Sequence, residues 1–338
     1  MDFVDLFCGA GLASEAAKFI GLNPIAAVDY CPIALASYAK NHPQTRRLGV
    51  DLFKDIEDTL HCLHIYKSYN GVIWLSPPCQ DFSTAKGSCY EVNNTEAIFE
   101  LIAKVVYARP NAWIIIENVS PIIHAQYANA WYKVQDAVVQ SGRQNVSRTW
   151  ARNYVFNAWE YGVPQIRTRL ILPIPPKGKS LIGLPTPSNK TKTLQECIGK
   201  GFKDVDIEHP VLCKAEYEIF KGMPAGGNWH DTEFGRKAAL KYMKINKVSK
   251  VSDNFARRCS WDDIPPCVLA SHRVRLKYGN FVHPEKDRRF TLGEMRQFQT
   301  IPKGYIIEGG LKERLRQIGN AVPVQMVARI IKYFLNSC

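Results

Sequence analysis

The 338-residue chain lacks any apolar run that approaches the roughly 20 residues of a membrane-spanning helix. Its first residues, Met1-Asp2-Phe3-Val4-Asp5, also lack the basic and then apolar pattern of a secretory signal. Internal repeats and low-complexity tracts are missing, and a content of 46% hydrophobic and 22% charged residues excludes disordered and collagen-like chains. We therefore expect an intracellular protein without a membrane segment, cytoplasmic if bacterial or viral and nuclear if eukaryotic.

The chain contains ten cysteines, but it lacks cysteines at the close spacing that is typical of metal sites. No two of them stand in a CxxC pattern, so the sequence indicates neither a zinc site nor a disulfide framework. We expect reduced thiols, mostly buried, and no metal.

The net positive charge is confined to the second half of the chain. Residues 1–176 hold 15 basic and 15 acidic residues, whereas residues 177–338 hold 29 basic and 16 acidic residues and carry the whole net charge of +13. Such asymmetry favours a polyanion, most simply nucleic acid, bound by the C-terminal half. A solvated basic surface explains the charge alone equally well.

Short apolar runs alternate with helix-like segments in the first half of the chain. We predict strands at 3–7, 24–28, 72–75 and 112–116. We predict helices at 13–20, 33–40, 55–65, 95–108 and 129–141, and again at 291–299 and 324–335. The alternation predicts a doubly wound, mostly parallel α/β sheet of Rossmann-like type. Pro, Gly and Lys interrupt it at 173–178, and the basic, irregular stretch that follows predicts a smaller domain.

A glycine-rich turn at 7–11 joins the first predicted strand to a helix. Glycine lets a ligand approach the backbone, although purely structural glycines are the alternative. Asp29, at the end of the second predicted strand, has the position of a carboxylate that accepts hydrogen bonds from ribose hydroxyls. Ser14 replaces the third glycine that a pyrophosphate would favour. The pattern favours a nucleoside cofactor without phosphate, such as S-adenosylmethionine.

Reactive side chains follow the next two strands. Cys79 stands after a rigid Pro-Pro turn, which is a poor place to bury a thiol. Glu117 follows three isoleucines, where desolvation would raise its pKa toward proton donation, unless it is simply solvated. Arg167 and Arg169 are two residues apart and share one side of an extended segment, as donors to a carbonyl or phosphate or as a solvent-facing pair.

In this order, the motifs resemble the DNA cytosine-5 methyltransferase family. The matching motifs are FxGxG at 7–11, Pro-Pro-Cys-Gln at 77–80, Glu-Asn-Val at 117–119, Gln-x-Arg-x-Arg at 165–169, the stretch at 288–299, and Gly-Asn-Ala-Val-Pro at 319–323. The resemblance implies a catalytic and cofactor-binding domain at 1–176, a target-recognition domain at 177–262, and a C-terminal segment at 263–338 that packs back on the first domain. Candidate DNA contacts in and beside the second domain are Asn228, Lys237, Lys241, Lys244, Arg257 and Arg258.

The resemblance also implies a reaction: methyl transfer from S-adenosylmethionine to carbon 5 of a cytosine flipped out of a short, specific site in double-stranded DNA. Cys79 would attack carbon 6, Glu117 would donate to ring nitrogen 3, and Arg169, with Arg167 beside it, would hold the carbonyl oxygen. The implied cofactor contacts are Phe7, Gly9, Gly11, Asp29, Tyr30, Asp51, Leu52, Pro78, Ile98, Asn320 and Val322. We expect a monomer, and a restriction endonuclease acting on the same site is a partner that the resemblance allows.

Two positions depart from the family pattern. Leu12 replaces a second consecutive glycine, and Thr300-Ile301-Pro302 replaces Gly-Phe-Pro. Three other functions stay open: a tRNA-methylating branch of the family, whose Cys-Phe-Thr motif is absent here, a catalytically silent DNA-binding member, and a nicotinamide oxidoreductase. The last of these leaves Pro-Pro-Cys-Gln unexplained.

Overall fold

The computed structural model describes residues 1–79, 82, 95–188, 190–271 and 281–337. The strands are β1 (Asp2–Leu6), β2 (Asn23–Val28), β3 (Arg46–Leu48), β4 (Val72–Leu75), β5 (Trp113–Asn118), β6 (Val155–Asn157), β7 (Thr168–Ile174), β8 (Arg257–Arg258) and β9 (Phe281–Val282). The α-helices are α1 (Leu12–Phe19), α2 (Pro32–Asn41), α3 (Ile56–Cys62), α4 (Thr95–Ala108), α5 (Ala128–Gln140), α6 (Arg148–Ala151), α7 (Leu194–Ile198), α8 (Lys214–Phe220), α9 (Glu233–Asn246), α10 (Leu292–Phe298), α11 (Leu311–Asn320) and α12 (Val324–Asn336). Gln80 of the Pro-Pro-Cys-Gln motif lies outside the described residues.

Seven strands form one sheet in the order β3-β2-β1-β4-β5-β7-β6. The first five strands are parallel to one another, whereas β7 is antiparallel to both β5 and β6. The predicted doubly wound, mostly parallel sheet is therefore confirmed. The central strands carry near-continuous apolar runs because helices cover both faces of the sheet.

The two ends of the chain meet in the main core. Helix α12 packs against α1, and α4 packs against α5.

Helix α10 begins at a capping box in which Thr291 Oγ1 accepts from the Glu294 N–H (3.0 Å) and the Glu294 carboxylate accepts from the Thr291 N–H (2.8 Å). Both guanidinium Nη atoms of Arg288 then donate to that carboxylate (2.8 and 2.7 Å). The motif at 288–299 thus fixes the start of α10.

A second, smaller apolar core lies within the basic half of the chain. It consists of Ile219, Phe220, Met223, Ala239, Phe255, Ala256 and Val282. Helices α8 and α9 pack against each other at this core, whereas α7 packs against α10 and contributes Leu194 and Cys197 to the main core. The sequence did not predict these three helices, because two are short and the lysines of α9 interrupt its apolar pattern.

Among the described residues, no helix combines the length and apolar character needed to cross a bilayer. The same residues contain no group of three or more His, Cys, Asp or Glu side chains that could hold a metal ion. The described cysteines are free thiols, but the expectation that most are buried is wrong. The buried ones are Cys8, Cys197 and Cys259, the half-buried ones are Cys31, Cys79 and Cys267, and the exposed ones are Cys62 and Cys213.

Candidate active site

The carboxyl ends of β3, β2, β1, β4 and β5 lie side by side along one edge of the sheet, because these strands are parallel neighbours. Phe7 follows β1, Asp29 follows β2, and Cys79 stands shortly after β4, while Glu117 lies near the end of β5. The topology therefore brings the predicted cofactor and catalytic residues to a single edge, where open α/β sheets bind their ligands.

The glycine-rich turn after β1 depends on left-handed backbone. Phe7, Gly9 and Gly11 have φ angles of 63°, 52° and 89°. A Cβ atom added at Gly9 would meet no atom of the described residues within 4 Å, whereas one at Gly11 would lie 2.7 Å from Tyr38 Cδ2. Gly11 is therefore required by the packing below the turn, and Gly9 borders open space above it.

Asp29 connects this turn to the turn after β2. Its Oδ2 atom accepts a hydrogen bond from the Gly9 N–H and its Oδ1 atom from the Cys31 N–H, both at 2.8 Å. Burial raises the pKa of the Asp29 carboxyl, and these two hydrogen bonds oppose the rise. An ionised carboxylate has about four acceptor positions, so the predicted ribose hydroxyls can still bind to it.

The other predicted cofactor residues are divided between buried and exposed positions. Leu52, Ile98 and Val322 are buried, whereas Tyr30, Asp51, Pro78 and Asn320 are exposed. Tyr30, Asp51 and Pro78 follow β2, β3 and β4, so they stand at the same edge of the sheet. The Phe7 ring is tilted against that of Phe53, with centroids 5.5 Å apart.

Cys79, Glu117 and Arg169 lie close enough for the charge of Arg169 to act on both other side chains. Glu117 Oε1 lies 3.3 Å from Arg169 Nε, and the Glu117 residue is 7% exposed. Burial raises the pKa of the Cys79 thiol and of the Glu117 carboxyl, and the positive charge of Arg169 opposes both rises. A hydrogen bond also links the segment after β4 to the end of β5, since Asn118 Nδ2 donates to the Pro77 carbonyl (3.0 Å). The positive charge of Arg169 thus acts on a thiol and a carboxyl at adjacent strand ends.

Arg167 differs from the catalytic contact predicted for it. The residue is 2% exposed, and its guanidinium donates to the carbonyls of Val268 (2.9 Å), Gly319 (2.8 Å) and Ala321 (2.9 Å). Burial lowers the pKa of Arg167 to about 10, so it remains a cation at neutral pH. Because these donors are already used by backbone carbonyls, the placement favours a positioning role over contact with the substrate.

Two buried glutamines extend this network, and the motif search gave them no role. Gln165 Nε2 donates to Gln299 Oε1 (2.9 Å), and Gln165 Oε1 accepts from the Val268 N–H (3.1 Å). Gln299 Nε2 donates to the Ile318 carbonyl (2.7 Å). Together with Arg167, the glutamines hold three segments that are far apart in sequence. Their presence in the matching motifs was the only available signal.

The predicted DNA contact by Arg258 is wrong. This side chain is 3% exposed and donates to the carbonyls of Phe220 (2.8 Å) and His283 (3.0 Å). Arg257 is partly exposed, but its Nη2 atom donates to both carboxylate oxygens of Asp263 (2.9 and 3.0 Å). Both arginines therefore stabilise the basic region rather than offering free charge.

The candidate lysines are placed differently. Lys241 and Lys244 are exposed on α9, and Lys237, on the same helix, forms an ion pair with Glu233. Asn228 is half-buried in a turn, where its side-chain oxygen accepts from the His230 N–H (2.9 Å). Helix α9 thus presents the exposed positive charge of this set.

Comparison with known proteins gives a consistent result. The model of the family "C-5 cytosine-specific DNA methylase" matches residues 1–336. The type II methyltransferase M.Eco47II of Escherichia coli is 27% identical over 336 residues, which cover 96% of this chain and 76% of the relative. The type II methylase M.HgiDII of Herpetosiphon aurantiacus is 27% identical over 352 residues, covering 98% and 95%. The structure of a candidate DNA modification methyltransferase from an E. coli prophage superposes with a TM-score of 0.69 at 20% identity, covering 100% of this chain and 99% of that one, and shares its fold.

Proposed function

This chain belongs to the C-5 cytosine-specific DNA methylase family, and from that premise we propose that Cys79, Glu117 and Arg169 are the catalytic residues. As a member of the family, it is an enzyme that methylates carbon 5 of cytosine in DNA with S-adenosylmethionine as methyl donor. The observation that carries the assignment is the 3.3 Å contact between Arg169 and Glu117. Burial raises the pKa of the neighbouring Cys79 thiol, the charge of Arg169 lowers it and the charge of Glu117 raises it.

In the proposed mechanism, Cys79 is the nucleophile. Its thiolate attacks carbon 6 of a flipped-out cytosine, because this atom is unreachable while the base is stacked. A sulfur–carbon bond forms and the electron pair moves toward carbon 5, which becomes nucleophilic. After methylation, loss of the proton from carbon 5 breaks the bond to sulfur and releases the Cys79 thiolate.

Glu117 and Arg169 act on the ring during the attack. Protonated Glu117 donates to ring nitrogen 3, so that negative charge does not build up on the base. Arg169 donates to the carbonyl oxygen with guanidinium hydrogens other than those directed to the Thr168 carbonyl (2.8 Å) and to Glu117 (3.3 Å). Arg167 has a positioning role: it donates to the carbonyls of Gly319 and Ala321, on both sides of Asn320.

The proposed cofactor site follows the same edge of the sheet. S-adenosylmethionine supplies a methyl group on a positively charged sulfur. The open space above Gly9 fits a ligand at the turn, and the remaining acceptor positions of Asp29 fit ribose hydroxyls. The buried Leu52 and Ile98 provide apolar contact for adenine. The further proposed contacts are Phe7, Gly11, Tyr30, Asp51, Pro78, Asn320 and Val322.

We assign residues 1–176 to catalysis and cofactor binding, 177–262 to target recognition and 263–338 to the segment that closes the site. The separate apolar core at α8 and α9 and the concentration of positive charge support the second assignment. Because every proposed catalytic residue comes from one chain, we propose an active intracellular monomer on double-stranded DNA. The naming of the relatives as type II enzymes supports a restriction endonuclease with the same target as a partner.

The nucleic-acid substrate is tested by offering wild-type enzyme and methyl-labelled S-adenosylmethionine either duplex DNA of mixed sequence or tRNA. We expect labelled 5-methylcytosine in the DNA alone, and mapping of the modified positions should give one short target. Label in tRNA alone would move the chain to the tRNA-methylating branch. Label in neither would indicate a silent DNA-binding member.

Helix α9 gives a second test, which concerns phosphate contacts. We expect the double variant Lys241→Gln, Lys244→Gln to bind DNA of any sequence more weakly, because these exposed lysines would neutralise phosphates. The slope of log Kd against log salt concentration should fall by about 1.8, or about 0.9 for each lost contact. Fluorescence anisotropy over a salt series measures it. The matched control replaces the exposed Lys67 and Lys332, which lie outside the proposed target-recognition domain at 177–262. An unchanged slope would contradict the phosphate assignment.

A further inference from the structure

A buried polar cluster lies beneath the glycine-rich turn, and the proposed reaction leaves it without a role. It consists of Asp5, Ser14, Tyr38, His42 and Tyr305, all of them 5% exposed or less. Four members come from the first 42 residues of the chain, whereas Tyr305 comes from the C-terminal segment. Burying a polar group raises the free energy of the folded state unless the group is hydrogen-bonded. The hydrogen-bond partners of the cluster therefore show which parts of the chain it keeps in place.

Two members hold the carbonyls of the turn from below. The Tyr305 hydroxyl donates to the Ala10 carbonyl (2.7 Å). His42 Nε2 lies 3.1 Å from both the Gly11 carbonyl and the Tyr305 hydroxyl oxygen. Burial lowers the pKa of His42 to about 4, so the ring is neutral at pH 7 and these partners assign its hydrogen to Nε2. Both consecutive carbonyls at the tip of the turn are thus satisfied by the cluster.

The cluster also leaves the turn no room to shift downward. A Cβ atom at Gly11 would lie 2.7 Å from Tyr38 Cδ2 and 2.9 Å from His42 Cδ2. Tyr38 is itself held, because Ser14 Oγ lies 2.7 Å from its hydroxyl and donates to Asp5 Oδ2 (2.6 Å). The position of the turn is therefore set by the side chains beneath it.

The C-terminal segment that carries Tyr305 is hydrogen-bonded to α2. Asn41 exchanges two hydrogen bonds with the backbone of Ile306, at 2.7 and 2.9 Å. Ser37 Oγ accepts from the Glu308 N–H (2.8 Å) and donates to Gln317. The same segment continues through α11 to Asn320, a proposed cofactor contact. One segment thus supports the turn from below and approaches the cofactor site from the other side.

We propose that Tyr305 is a positioning residue for S-adenosylmethionine, whose hydroxyl links docking of the C-terminal segment to the shape of the glycine-rich turn. The inference rests on the proposed cofactor site at that turn. Tyr305 acts through the Ala10 carbonyl and His42, and it does not take part in the chemistry at Cys79.

The Tyr305→Phe variant tests this, because it keeps the ring and removes only the hydroxyl. The matched control is Tyr161→Phe, which removes a buried hydroxyl that donates to the Pro185 carbonyl (3.2 Å), outside the turn. Calorimetric titration gives the Kd for S-adenosylmethionine without DNA, and steady-state assays give KM and kcat with saturating DNA. We expect Tyr305→Phe to raise Kd and KM for S-adenosylmethionine roughly three- to tenfold, the worth of one buried hydrogen bond, with kcat unchanged. Tyr161→Phe should match its loss of thermal stability and leave the affinity at the wild-type value.

Three results would overturn the inference. One is wild-type affinity in Tyr305→Phe, another is an equal loss of affinity in Tyr161→Phe, and the third is a fall in kcat with KM unchanged. If wild-type enzyme methylates DNA while Tyr305→Phe binds the cofactor normally, the inference fails and the proposed function stands. Wild-type protein that binds no S-adenosylmethionine would overturn both.

Discussion

The Cys79→Ala variant is expected to lose methyl transfer by at least roughly 10⁴-fold, the scale on which removal of a catalytic nucleophile acts. It should also form no covalent complex with DNA that contains 5-fluorocytosine. Fluorine at carbon 5 cannot leave as a proton, so the sulfur–carbon bond made by the wild-type enzyme persists after methylation. The complex appears on a denaturing gel as protein that migrates with labelled DNA.

A second cysteine variant controls for general effects on the fold. Cys62 is exposed at the end of α3 and away from the sheet edge that carries the site, so Cys62→Ala should keep both the adduct and the activity. An adduct that survives in Cys79→Ala would assign the nucleophile to another residue. Binding of DNA and of S-adenosylmethionine by Cys79→Ala should stay close to wild type, which separates loss of chemistry from loss of binding.

The strand before Cys79 was predictable because burial on both faces of the sheet gives an uninterrupted apolar run. Val72–Leu75 was predicted with the bounds that the structure has, and so was helix Thr95–Ala108. Strand Arg46–Leu48 was not predicted, because it has three residues and two of them are arginines at the edge of the sheet. Edge strands need little apolar sequence, so periodicity does not reveal them.

The site residues also differ in how much of their role the sequence can predict. Asp29 and Glu117 are identified by their place at strand ends, which is local information. The role of Arg167 depends on carbonyls 101, 152 and 154 residues further along the chain. The hydroxyl of Tyr305 likewise meets a carbonyl 295 residues earlier. Such partners depend on the tertiary fold, so a sequence pattern can suggest that these residues matter without showing what they hold.

The other large effect is expected at Glu117. Glutamine has nearly the same shape and can donate a hydrogen bond to ring nitrogen 3, but it cannot deliver a proton. We expect Glu117→Gln to lower kcat roughly 10²- to 10⁴-fold, the usual worth of general acid catalysis, without changing the Kd for S-adenosylmethionine. The surface variant Glu100→Gln, which loses only a pair with Lys133, should behave as wild type.

The pH profile separates an acid from a group that only shapes the pocket. Burial raises the pKa of both Glu117 and Cys79, and the proposed mechanism requires a protonated carboxyl together with a thiolate. Between the two pKa values, the protonated fraction of Glu117 falls about tenfold per pH unit while the thiolate fraction of Cys79 rises by the same factor. These changes cancel, so the single-turnover rate of wild type should be nearly flat there. In Glu117→Gln only the thiolate requirement remains, and the rate should rise about tenfold per pH unit until Cys79 is ionised. A flat profile in Glu117→Gln would contradict the role of Glu117 as proton donor, because it would mean that the carboxyl had never supplied the opposing dependence.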